Sequence, residues 1–98
     1  MATSSALPET FNFLGGDVLD VSTEEEARLW AAWARNLVRG SQEETTRKIG
    51  ENLSDREAVN ALLDAHEALV AETVKLEEIA AARREDAEWT RLRELLLG

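Results

Sequence analysis

His66 is the one imidazole in this chain of 98 residues, and cysteine is absent. Any acid–base or metal chemistry would have to be built from that ring and from carboxylates. The carboxylates come in groups: Glu25/Glu26, Glu43/Glu44, Glu77/Glu78, and Glu85/Asp86 with Glu88. Spaced acidic pairs on facing helices can hold Mg²⁺, which takes several oxygen ligands. Here Glu85 and Glu88 have an i,i+3 spacing but no ExxD partner at a suitable distance. A metal-dependent all-helical hydrolase is therefore the least favoured reading. No HExxH is present, and Asp64 would lie about 200° around a helix from His66. Leu62, Leu63, Leu69 and Val70 stand one turn from His66 on either side. That spacing makes His66 a semi-buried polar residue that sets helix register. Gly15-Gly16 is followed by neither GK[ST] nor dinucleotide-binding spacing. We expect no catalytic, cofactor-binding or metal residues, and a protein that is not an enzyme.

The residue types that remain suit association. Trp30 and Trp33 lie on one side of a helix and bring large apolar area with one donor each. Phe11, Phe13 and Leu14 cluster in a segment bounded by Pro8 and Gly15-Gly16. Near the other end, Leu92-Arg93-Glu94-Leu95-Leu96 has the LxxLL pattern, and Trp89 precedes it by one turn. An end this apolar should be covered by something. The candidate partner-binding residues are thus Phe11, Phe13, Leu14, Trp30, Trp33, His66, Leu69, Trp89, Leu92, Leu95 and Leu96.

These residues need elements to carry them, and the pattern is helical. From Ser54 to Gly98 there is no glycine or proline before the last position. Ser54-Asp55-Arg56-Glu57 reads as a capping box that opens the stretch. Leu62, Leu69, Leu76 and Ala80 recur at helical spacing, and Arg83 ends that line. Arg83–Asp86 is the expected place for a bend, break or change of partner. Earlier, Ser22-Thr23-Glu24-Glu25-Glu26 offers two overlapping capping boxes, and Gly40 a C-terminal stop. Ser41-Gln42-Glu43-Glu44 is a further start, with a stop near Gly50.

The expected fold is all-α: helices at about 23–39, 42–50 and 55–97, preceded by an irregular N-terminal docking arm over residues 1–21. They would form a three-helix bundle or an elongated hairpin with one long C-terminal helix. A helix of that length spans roughly 60 Å, whereas a compact chain of this size has a radius of gyration of about 13 Å. Homo-oligomerisation through the Leu62–Leu69–Leu76 seam follows as an expectation.

Charge narrows the partners. Twenty acidic residues against eleven basic ones give a net −9, and Glu51–Glu78 holds eight acidic residues and two basic ones. This argues against nucleic acid and anionic membrane surfaces, which call for a Lys/Arg stripe. No apolar run approaches the 18 or so residues of a membrane span. Nor does the N-terminus have the basic start and apolar core of a secretory signal, so a cytoplasmic location is expected. The function expected from these features is that of a small helical interaction protein with a protein partner: an adaptor, assembly factor or accessory subunit. The alternative is an acidic inhibitor or nucleic-acid mimic that occupies a basic site.

Overall fold

The computed structural model describes residues 7–97. Two strands come first, β1 (Thr10–Phe13) and β2 (Asp17–Asp20), paired antiparallel with Phe11 opposite Leu19 and Asn12 opposite Val18. Alternation decides which face is covered: Phe11, Phe13 and Leu19 turn inward, while Thr10, Asn12, Val18 and Asp20 are exposed. The expected irregular arm is therefore a β-hairpin over most of its length. Its first six residues lie outside the described residues. Leu14 (φ 54°) and Gly15 (φ 75°) sit at the centre of a turn in which the Gly16 N–H donates to the Phe13 carbonyl at 3.0 Å. Two successive positive φ values match the type I′ twist that paired strands favour.

Helix α1 (Glu24–Glu51) starts at the second of the two capping boxes. Thr23 Oγ1 accepts from the Glu26 N–H at 3.1 Å, and Glu24, Glu25 and Glu26 occupy the positive end of the helix dipole. The helix then passes through Gly40 and Ser41 without interruption. The two helices expected at 23–39 and 42–50 are thus one, and the three-helix bundle is not formed. The reason is tertiary. Val38, Ser41, Thr45 and Ile49 continue a half-buried line facing the last helix. Ser41 Oγ lies 2.9 Å from His66 Nδ1 and caps nothing. The stop moves to Asn52, whose N–H donates to the Ile49 carbonyl and whose Nδ2 donates to the Lys48 carbonyl.

Gly40 is exposed in mid-helix, and a Cβ there would meet nothing within 4 Å. Gly40→Ala should therefore stabilise the fold by about 1 kcal/mol, the propensity difference in a helix interior. Urea unfolding measures it; an unchanged or lowered midpoint would mean that the helix is interrupted there.

Helix α2 (Arg56–Leu97) begins one residue later than the Ser54 box implied. Asp55 is the cap, its Oδ1 accepting from the Ala58 N–H at 3.1 Å. The helix runs on through Arg83–Asp86, so the expected break is absent. At 1.5 Å per residue, α2 is about 63 Å long and α1 about 42 Å. The two lie antiparallel, tied by the Arg35–Glu77 ion pair at 3.3 Å and by the Ser41–His66 contact. The molecule is mostly α, a helical hairpin with a two-stranded sheet, and measures 66 × 20 × 18 Å.

The core sits where three layers meet. Phe13, Leu19 and Val21 of the β-hairpin segment, Ala27, Ala31 and Ala34 of α1, and Leu76 and Ile79 of α2 are all buried. Three alanines at helical spacing let the hairpin and α2 approach the α1 backbone closely. The Leu69–Leu76 seam is thereby used within the chain: Leu76 is wholly buried and Leu69 packs against the core.

Candidate interaction surface

The candidate residues divide into three groups. Phe11, Phe13, Trp30, Trp33 and Leu69 come together in or against the core. Trp33 makes edge-to-face contacts with Phe13 and with Trp30, both at 5.2 Å between centroids. Such pairs add about 1 kcal/mol beyond the area they bury. Phe13 is 4 % exposed, so its ring serves this chain's own core; Trp30 and Trp33 keep one edge outward beside exposed Leu29. His66 is half-buried, with Ser41 as its partner across the helical hairpin.

Leu14 forms the second group. It stands at the tip of the β-hairpin with a positive φ that costs a branched L-residue about 1–2 kcal/mol. Its N–H is held by Glu72 Oε1 of α2 at 2.8 Å, while its side chain is 53 % exposed. The backbone is thus pinned and the leucine projects outward.

Glu72 carries that pin, and its environment shows in its acidity. The Leu14 N–H, then Lys75 at 3.1 Å, hold its carboxyl below the ordinary glutamate value. Asp20 is lowered by the Ser22 hydroxyl and N–H, and Glu44 by Lys48. For each group the folded-state pKa lies below the unfolded one. Its contribution is complete above the unfolded value, near 4, and vanishes as pH falls through the folded value. Stability should therefore drop on acidification below about pH 4. Glu72→Gln, which keeps an acceptor for Leu14 but no titrating charge, should flatten that drop. Urea midpoints at neutral pH and near pH 3.5 test this, and an acid limb as steep as the parent's would refute the assignment.

The third group is the end of α2. The N-terminus of α1 lies against Ala80, Ala81 and Arg84, so the last turns of α2 run on past it. Trp89, Leu92, Leu95 and Leu96 are 60, 45, 76 and 76 % exposed, and Leu97 is 82 % exposed. A shallow apolar concavity lies along Trp89, Leu92, Leu96 and Leu97, bordered by Arg93. No helix among the described residues is long and apolar enough to cross a membrane. Among them, too, no three His, Asp or Glu side chains converge on one point.

Arg83 was not among the candidates, yet it locks the layers together. Its guanidinium donates through Nε to the Val21 carbonyl and through Nη2 to the Pro8 carbonyl at 2.7 Å. One side chain of α2 thus ties the chain entering β1 to the chain leaving β2. The available signal was the position itself: an arginine in line with a leucine seam, where a charge needs a partner. No protein-family model, curated protein or solved structure matches this chain.

Proposed function

We propose that this chain is a non-enzymatic interaction protein that joins protein chains through the end of α2, as an adaptor, assembly factor or accessory subunit. The observation that carries the reading is the row Trp89, Leu92 and Leu96, exposed on a helix end that α1 does not reach. An aromatic and two leucines at i, i+3 and i+7 are the anchors of a helix-in-groove or helix-on-helix contact. The body supplies rigidity: a helix continuous with a packed core presents its free end with little ordering cost. Leu14 at the β-hairpin tip is a smaller exposed anchor pinned by Glu72.

The test is the size of the native particle in an extract of the source cells. The parent should migrate as an assembly larger than one chain. Leu92→Asp with Leu96→Asp should shift it to the free-chain position while leaving the melting temperature unchanged, since both residues are exposed. A parent that migrates as a free chain, or a variant that stays in the assembly, would overturn the reading.

A further inference from the structure

The row at the end of α2 has a second property, its direction. Counting 100° per residue, Trp89, Leu92 and Leu96 lie about half a turn around α2 from Leu69, Thr73, Leu76 and Arg83, which face the core. Neither α1 nor the β-hairpin can cover that side, and a neighbour can run along it without meeting either. The spacing extends into a short heptad seam: Ala82, Glu85, Trp89, Leu92 and Leu96, in steps of three and four. Beyond it, Lys75 and Glu78 take the equivalent positions and end the seam.

The charges beside the seam choose the occupant. Asp86 and Arg93 border it on the same flank, one turn before Trp89 and one turn after. Neither makes an ion pair within the chain among the described residues. Reversed end to end, acid meets base. Parallel pairing of two copies would bring two strongly acidic bodies side by side and set this flank against the opposite one, so that Asp86 and Arg93 do not meet. Antiparallel pairing keeps the bodies apart and brings like flanks together.

We infer that the occupant of this face is a second copy of the chain, paired antiparallel about a two-fold axis between Trp89 and Leu92. This rests on the reading of the α2 end as the docking element. In that arrangement Trp89 of each copy packs beside Leu92 of the other, and Asp86 of each lies within one turn of Arg93 of the other. A two-fold contact must be complementary to itself, and this pattern of charge is. The two acidic bodies lie at opposite ends of the dimer.

Light scattering on the purified chain across the micromolar range tests it, with small-angle scattering for shape. We expect a monomer–dimer equilibrium and a maximum dimension rising from near 66 Å to about 110 Å, since only about 20 Å of helix overlaps. Arg93→Asp should weaken association at least tenfold, and Asp86→Arg with Arg93→Asp should restore it. Leu92→Asp should leave a folded monomer, checked by an unchanged helical circular dichroism melt. A parent that stays monomeric at high micromolar concentration overturns the inference, as does a dimer indifferent to Leu92→Asp or a charge swap that restores nothing. A monomeric purified chain that still migrates as a Leu92-dependent assembly in cell extract would refute the second copy alone and leave the docking role standing.

Discussion

Deleting the chain before Ser22 should replace a cooperative unfolding transition with a broad, shallow one. The deleted segment supplies Phe13, Leu19 and Val21, three of the eight buried apolar residues of the core. Burying each such side chain contributes about 1.5–3 kcal/mol, so the segment accounts for roughly 5–9 kcal/mol. The whole stability of a domain this size is about 5–10 kcal/mol. Of the buried set, what remains between α1 and α2 is alanine facing Leu76 and Ile79, newly open to water. Residual helicity should survive in so alanine- and glutamate-rich a sequence, but without a sharp melt. Thermal scans by circular dichroism decide the matter. A transition as sharp as the parent's and within a few degrees of it would show that the helical hairpin is a domain in its own right.

This expectation differs from the one that sequence alone supports, and the difference has a physical source. Thr10-Phe11-Asn12-Phe13 alternates polar and apolar, Asp17–Val21 partly does so, and Gly15-Gly16 lies between them. Together these are the marks of a hairpin. The runs are only four and five residues long, and an isolated two-stranded hairpin is marginal in water. Its stability comes from Ala27, Ala31 and Leu76, which no local pattern reveals. The helix starts were legible because a cap is a local device: Thr23 and Asp55 each lie within one residue of an expected start. The helix stop at Gly40 was not, because Gly40 and Ser41 carry a local stop-and-start signal that the contact between Ser41 and His66 overrides. The apolar end of α2 was legible as unusual composition. Its orientation away from the core needed the register of α2 against α1, which depends on contacts more than forty residues apart in sequence.

Arg83→Ala should be the most damaging single substitution among the polar residues, at about 2–4 kcal/mol. Two donors are lost together: one to the carbonyl of Val21, a residue wholly removed from solvent, and one to Pro8. A hydrogen bond from a charged group contributes about 1.5–3 kcal/mol, and a buried acceptor left alone carries its desolvation cost as well. At 4–8 °C per kcal/mol for a chain this short, the melting temperature should fall by roughly 10–25 °C. Arg83→Lys should lie between, because an ammonium is a single point donor and cannot span two carbonyls as the guanidinium fork does. Arg83→Met separates causes, keeping most of the apolar stem while removing both donors. If Arg83→Met melts with the parent, the arginine acts through its stem and the tie has no energetic weight. If the tie does hold the hairpin, amide exchange in Arg83→Met should show Thr10–Phe13 and Asp17–Asp20 losing protection first. The first turns of α2 should hold theirs longer, because the layer that Arg83 fastens is the one that opens.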